Sequence, residues 1–262
     1  MKIFHGKGKA DPHYPEATLT VPDGYKILGG GARVNWSDPG NLLTVSFPKD
    51  ARTWFAKSKD HGKGSPADID VWAIAIYDPK NECEVKILPQ ESAKAQHPFA
   101  TAPVPEGYVL TGGGAQANWK TNGSLLSASY PNGSTGWVAK SKDHGSGNEE
   151  EATVTAYAIG IRAADSASRS VKDIFEKKNF ETRLFTNTSD KEEPHPTAQI
   201  PLDPDYVLIG GGAYVDWHPP KGGNLLTESY PASLYTWKVA SKDHLADDPS
   251  KITAYAIGAR VK

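Results

Sequence analysis

The sequence predicts an all-β fold of three tandem repeats with pseudo-threefold symmetry and three pseudo-equivalent sheets. One unit recurs three times along the 262 residues. Its segments are short and alternate between apolar and polar residues, as strands do when one face is buried. The chain also holds 25 Gly and 20 Pro, which suits many turns between short strands.

The repeated unit has a fixed order of landmarks. A Gly-Gly-Gly-Ala run is followed by a Trp, a Leu-Leu pair, Ser-aromatic-Pro, a second Trp, Ser-Lys-Asp-His and a closing aromatic-Ala-Ile segment. The triplets begin at Gly29, Gly112 and Gly210 and are therefore 83 and 98 residues apart. Such a long, regular period is typical of a fold assembled from repeated units.

The repeats occupy almost the whole of the chain. We place them at residues 1–80, 81–163 and 164–262 and expect them to form one domain. The third repeat is longer because of an added stretch before its glycine triplet. Apolar residues around Val171 and Ile174 have helical spacing there, which predicts one short helix at the start of this repeat.

Within each repeat we expect about five strands. The strand that begins at Trp54 places Trp54 and Ser58 on one face and Phe55 and Lys59 on the other. The glycine triplet indicates a β-bulge or a close approach of another backbone. Each unit is then expected to bury one face against the other two around an axis. A β-trefoil, whose repeats are usually shorter, and a linear array of three small sandwiches are the alternatives.

The motifs resemble known repeat proteins. The pattern Gly-Tyr-x-Leu-x-Gly-Gly-Gly-Ala, Leu-Leu-x-x-Ser-Tyr-Pro and Thr-Ala-Tyr-Ala-Ile-Gly resembles repeat units of bacterial secreted and surface proteins. The threefold arrangement resembles the β-prism group, which includes jacalin-type lectins and vitelline membrane outer layer proteins. This second resemblance is architectural and implies a prism-like fold. The sugar-binding signature of jacalin-type lectins is not present in matching form, so the resemblance transfers no site residues.

Composition narrows the classes of partner. The net charge of −2 argues against a nucleic-acid binder that works through a general positive field. No apolar run approaches the roughly 18 residues that span a bilayer, so no transmembrane segment is expected. The N-terminus has no apolar core of a secretory signal, and the single cysteine, Cys83, cannot form an intrachain disulfide. These features fit either a reducing cytoplasmic location or export by an unconventional route.

The Ser-Lys-Asp-His element is the strongest candidate for a binding site, because it is the most polar element that recurs unchanged. Its charged groups can donate and accept hydrogen bonds to sugar hydroxyls, and a nearby indole can stack on the C–H face of a sugar. Three equivalent weak sites would gain through multivalency. The candidate ligand-binding residues are Lys59, Asp60, His61, Lys142, Asp143, His144, Lys242, Asp243 and His244, with Trp54, Trp137 and Trp237 for stacking.

The leading functional hypothesis is therefore non-catalytic, lectin-like carbohydrate binding, in adhesion, defence or the targeting step of a toxin. The first alternative is a structural or toxin-like repeat protein, in which Lys and Asp form an ion pair and His caps the strand end. The second is a hydrolase. We expect no catalytic residues, because Ser58 and His61 face opposite sides of a strand and hydrolases normally need one asymmetric constellation.

Other recurring residues are interpreted as structural. No metal site and no cofactor are expected, because adjacent Asp and His on an extended strand point to opposite faces. The triplets do not match phosphate-binding loops, and no helix follows them. The tryptophans after the triplets are interpreted as core aromatics: Trp36, Trp119 and Trp217. Each repeat begins with a segment, which we call its lead-in, that contains a His followed by a Pro. These residues are interpreted as turn and strand-entry positions: His13 with Pro15, His97 with Pro98, and His195 with Pro196.

Overall fold

A computed structural model describes residues 1–120, 123–143, 151–177, 179–218, 223–244 and 246–262. This part of the chain is all-β, as predicted, with eighteen strands and one short helix. Each repeat contributes six strands, one more than the five or so expected from the sequence.

The strands of the first repeat are β1 Lys2–Lys7, β2 Glu16–Thr20, β3 Tyr25–Asn35, β4 Asn41–Pro48, β5 Thr53–Asp60 and β6 Asp68–Tyr77. The strands of the second are β7 Cys83–Glu91, β8 Phe99–Pro103, β9 Val109–Asn118, β10 Leu125–Asn132, β11 Gly136–Lys142 and β12 Thr153–Ala163. The third begins with helix α1 Arg169–Glu176. Its strands are β13 Phe180–Thr188, β14 Thr197–Pro201, β15 Val207–Asp216, β16 Asn224–Ser233, β17 Thr236–Asp243 and β18 Lys251–Val261.

The strands form three antiparallel six-stranded sheets, and each sheet is shared between two repeats. The orders are β1-β6-β3-β16-β17-β14, β13-β18-β15-β10-β11-β8 and β2-β5-β4-β9-β12-β7. The first sheet joins repeats 1 and 3, the second repeats 3 and 2, and the third repeats 2 and 1. Every sheet in the described part of the chain thus needs strands from two repeats, which does not fit a linear array of independent sandwiches.

The glycine triplets let three strands meet closely. A Cβ on the first glycine of each triplet would lie 2.2–2.5 Å from a backbone oxygen of another repeat: Gly29 from Ile209, Gly112 from Leu28, and Gly210 from Thr111. Strand β3 therefore touches β15, β15 touches β9, and β9 touches β3, in a closed cycle. Only a residue without a side chain permits this approach.

The predicted bulge is confirmed next to each triplet. The strand pairing skips one residue immediately before the first glycine, and the skipped residues are Leu28, Thr111 and Ile209. The extra residue bends the strand locally and increases its twist. The bulge and the close approach, which the sequence offered as alternatives, therefore occur together.

Helix α1 lies in the insertion that lengthens the third repeat, which confirms the predicted short helix. None of its residues is fully buried. No helix among the described residues combines the length and the apolar character needed to cross a bilayer.

Candidate functional site at the junctions between repeats

The lysines of the three Ser-Lys-Asp-His elements are buried. Lys59, Lys142 and Lys242 are only 2–3% exposed, although they lie at the ends of strands β5, β11 and β17. Their burial does not support the expectation that these lysines present their charge to a ligand. Strand alternation predicted which face each lysine occupies, but that face is covered by a loop from another repeat.

Each buried lysine reaches a tryptophan of another repeat. The Nζ atoms lie 4.0–4.6 Å from the indole centroids, in the pairs Lys59–Trp119, Lys142–Trp217 and Lys242–Trp36. We call these places junction 1–2, junction 2–3 and junction 3–1, after the repeats that meet there. A desolvated cation–π contact of this kind stabilises a fold by about 2 kcal/mol.

The buried ammonium groups also donate hydrogen bonds to loop carbonyls. Lys59 Nζ donates to the carbonyl oxygen of Gly123 at 3.1 Å, and Lys242 Nζ donates to that of Pro39 at 2.5 Å. Burial lowers the pKa of Lys142 to about 8, against the opposing effect of the carboxylates of Asp248 and Asp143. Burial also lowers the pKa of Lys242. The junction lysines therefore connect neighbouring repeats through buried contacts.

The tryptophans expected to stack on a ligand belong to the core. Trp54, Trp137 and Trp237 are 0% exposed. Their indole N–H groups donate to Ser46, Ser129 and Ser229 at 2.9–3.2 Å. Each indole lies on the second glycine of a triplet, where a Cβ would come within 2.3–2.7 Å of the ring. The structure therefore does not support the stacking role of these three residues, because no face of their rings is exposed to receive a sugar.

The histidines of the motif also face inward where they are described. His61 is 9% exposed and His244 is 1% exposed. The Nε2 and Nδ1 atoms of His244 lie 2.6 and 3.0 Å from the carbonyl oxygens of His61 and Pro39, so His244 joins repeat 3 to repeat 1. The expected ligand contacts of His61 and His244 are therefore not supported. His144 lies outside the described residues.

The aspartates occupy a more open position than the lysines. The Asp60 side chain is 13% exposed, and its Oδ2 lies 2.7 Å from Nδ1 of the half-exposed His13. The Asp243 side chain is 14% exposed and lies 3.7 Å from Nδ1 of His195, which is also half-exposed. Asp143 is 8% exposed. The aspartates of junctions 1–2 and 3–1 thus reach the surface beside a histidine.

The lead-in segments supply residues that the sequence analysis did not assign to a site. Three proline carbonyls accept hydrogen bonds from the serines of the motif at 3.1–3.2 Å: Pro15 from Ser58, Pro98 from Ser141, and Pro196 from Ser241. These bonds make the three prolines equivalent, so the residues that correspond are Tyr14, His97 and His195. The sequence pattern of His followed by Pro grouped His13 with His97 and His195. The proline hydrogen bonds show that His13 does not correspond to these two histidines.

An aromatic ring from the lead-in packs against each junction tryptophan. The ring centroids are 5.1–5.7 Å apart in the pairs Tyr14–Trp119, His97–Trp217 and His195–Trp36. Tyr14 stacks nearly parallel to its indole, at an interplanar angle of 22°, and is 47% exposed. The signal that identifies these rings in the sequence is their position immediately before a proline.

Each junction thus combines a buried cation, a half-buried indole and a more exposed ring. Within the described ranges, no group of three or more His, Cys, Asp or Glu side chains is arranged to hold a metal ion. The half-exposed groups can exchange hydrogen bonds and offer an aromatic surface, which are properties of a binding site. Comparison with protein-family models and with curated proteins gives no match to this chain.

Proposed function

We propose that the protein is a non-catalytic carbohydrate-binding protein with one subsite at each junction between repeats. The observation that carries this proposal is the cluster at junction 1–2. There the half-exposed ring of Tyr14 lies on Trp119, next to the hydrogen-bonded pair of His13 and Asp60. We call these four residues the junction 1–2 cluster.

The chemistry of this cluster suits a sugar ring. A pyranose offers a C–H face to an exposed aromatic ring and hydroxyls to polar groups around it. Tyr14 supplies the ring, Asp60 supplies an acceptor, and His13 supplies a group that can donate or accept. Lys57 Nζ lies 5.8 Å from the centroid of the Tyr14 ring and adds a donor at the edge of the cluster.

Repetition supports binding rather than catalysis. Junction 3–1 places His195 and Asp243 beside Trp36, and junction 2–3 places His97 beside Trp217. Three weak sites on one chain raise the affinity for a branched or polymeric glycan through effective concentration. Glycosidases, by contrast, generally use two carboxyl groups placed on either side of one scissile bond.

The Ser-Lys-Asp-His element then has two roles. The buried lysines hold the repeats together, as the structural alternative expects, and the aspartates of junctions 1–2 and 3–1 reach the surface. A purely structural or toxin-like repeat protein is the second candidate, favoured by the burial of Lys59, Lys142 and Lys242. The two candidates differ in what the exposed rings do, because a structural protein does not need them.

We also propose a prism-like arrangement of the three sheets around a pseudo-threefold axis. Support comes from the cyclic sharing of strands between repeats and from the closed cycle of contacts through Gly29, Gly112 and Gly210. In such an arrangement the three junctions are equivalent, so each should present similar chemistry to one extended ligand. Superposing the three sheets on one another in a crystal structure tests this arrangement.

A glycan array tests the proposed function. The wild-type chain should bind a defined set of glycans, equally with and without a chelator. The triple variant Tyr14→Ala, His97→Ala, His195→Ala should lose this binding with little change in melting temperature, because Tyr14 and His195 are half-exposed. The matched control is Tyr235→Ala, since Tyr235 is 52% exposed and lies in the β16–β17 turn. An empty array, or a triple variant that binds like wild type, would overturn the proposal.

A further inference from the structure

We propose that a neutral, apolar small molecule binds in a cavity beneath helix α1. The cavity has a volume of about 420 Å³, which lies within the usual size range of small-molecule sites. Leu28, near the start of strand β3, lines the cavity, whereas Trp36 of junction 3–1 follows the other end of that strand. The cavity is therefore separate from the junction clusters.

The three repeats converge on the walls of this cavity. Leu28 and Ile209 are the bulged residues of β3 and β15, and both line it. Ile76 and Ile161 occupy the corresponding position near the ends of β6 and β12, and both line it as well. These four aliphatic residues belong to paired β-strands, which preorganise this part of the wall for an apolar guest.

Helix α1 covers one side of the cavity with its apolar residues. Val171, Ile174 and Phe175 line the cavity, yet none of them is fully buried. On the helix surface, Asp173 forms ion pairs with Arg169 at 2.8 Å and with Lys177 at 2.9 Å. The helix is therefore amphipathic, and its apolar side faces a space that protein atoms do not fill.

The helix is held at both ends. The backbone N–H of Ser168, just before the helix, donates to Glu82 of the β6–β7 loop at 3.2 Å. After the helix, the N–H of Asn179 donates to the carbonyl oxygen of Ile174, and the carbonyl oxygen of Asn179 accepts from Lys262. The short connection between repeats 1 and 2 has no such helix, so this cover belongs to the insertion alone.

The charged side chains that line the cavity already have hydrogen-bond partners, which favours a neutral ligand over a charged one. Arg260 donates to Glu181 at 3.1 Å. Asp78 accepts from Lys26 at 2.8 Å and from two backbone N–H groups at 2.9 Å. An ionic headgroup would have to compete with these pairs, whereas an uncharged apolar molecule only fills space. Small-molecule sites are typically concave and mostly apolar, with a few polar groups, as this cavity is.

Fluorescence titration of the full chain with N-phenyl-1-naphthylamine, a neutral apolar probe, tests this inference. We expect saturable binding of one probe per chain. Val171→Trp fills the cavity from the helix and Ala259→Phe fills it from strand β18, and each should weaken probe binding by at least about tenfold. Ser170→Trp, which adds the same ring at an exposed neighbouring position, is the matched control and should bind like wild type.

Three results would overturn the inference. The first is the absence of saturable binding by the wild type, and the second is wild-type binding by both filling variants while each remains folded by circular dichroism. The third is one probe per two chains together with a dimer in sedimentation, which would assign the apolar surface to self-association. Because the cavity and the junction clusters are separate, glycan binding by the same variants shows which proposal has failed.

Discussion

The ammonium group of Lys59 lies 4.0 Å from the ring centroid of Trp119, a residue of the following repeat. The same contact joins repeat 2 to repeat 3, and repeat 3 back to repeat 1. Since the sheets are also shared cyclically, each repeat is tied to both of the others through backbone and side chains. The most polar motif of the chain therefore contributes to its interior as well as to its surface.

Removing one of these ties should destabilise the whole protein. Lys59→Ala deletes the cation–π contact and the hydrogen bond to Gly123 and leaves a cavity, so we expect a loss of about 2–4 kcal/mol in the free energy of unfolding. Chemical denaturation measures this loss. Lys94→Ala, at an exposed lysine, is the control and should change stability by less than about 0.5 kcal/mol. Equal effects of the two changes would contradict a structural role for Lys59.

The burial of Lys142 should make stability depend on pH in the alkaline range. Its pKa is about 8 in the folded state against 10.5 for an unperturbed lysine. Between these values the unfolded chain holds a proton that the folded chain has released, so the contribution of Lys142 to the free energy of unfolding rises with pH. Below pH 8 both states are protonated, and this contribution is constant.

Denaturation of the wild type and of Lys142→Met at a series of pH values isolates this effect. As the pH rises from about 8 towards about 10, the free energy of unfolding of the wild type should increase relative to that of Lys142→Met. Parallel curves over that range would show that the Lys142 ammonium group is not desolvated in the folded protein.

The closed cycle of glycine contacts predicts that the first glycine of each triplet cannot be replaced by a residue with a side chain without a large loss of stability. Gly29→Ala would place a Cβ 2.4 Å from the carbonyl oxygen of Ile209, and backbone atoms cannot move aside cheaply. We expect a loss of at least about 2–3 kcal/mol, or failure to fold. At Gly64 the nearest atoms to a Cβ are 3.7 Å away, so Gly64→Ala should be close to neutral. Thermal melting of both variants compares them directly, and a well-folded Gly29→Ala protein would refute the close approach.

The charged cluster around Glu181 should contribute to the stability of the protein at acid pH. Hydrogen bonds from Lys262 and Tyr206, with a further one from Arg260, lower the pKa of Glu181 to about 2. Because the folded pKa is depressed, this contribution is present above about pH 4.5 and is lost as the pH falls towards 2. Glu181→Gln should flatten the acid limb of the stability curve, whereas Glu106→Gln, at an exposed residue outside the cluster, should leave it unchanged.

Much of the architecture can be predicted from local pattern. Repetition indicated that the fold is built from one unit, and the alternation of apolar and polar residues indicated strands. The triplets correctly indicated a bulge, because glycine in a strand has few other physical reasons to recur. The helical spacing around Val171 likewise located helix α1.

The environment of the Ser-Lys-Asp-His element could not be predicted in this way, because it depends on side chains and loops that another repeat contributes. Alternation placed Lys59 on a face of β5, but the loop that covers that face carries Trp119, sixty residues along the chain. Trp54 is buried because it lies on Gly30 of strand β3, which belongs to a different sheet, and no local sequence period records such a contact. The pairing of His with Pro selects His13 in the first repeat, whereas the residue that corresponds to His97 before Pro98 is Tyr14 before Pro15.

The stoichiometry of glycan binding tests the central claim most directly. Isothermal titration of the wild type with a monovalent form of the best array ligand should give three sites per chain, one for each junction. Tyr14→Ala should reduce this number to two without lowering the melting temperature, because only the junction 1–2 cluster is altered. A single site per chain, or three sites that remain in the variant lacking all three lead-in rings, would contradict the account.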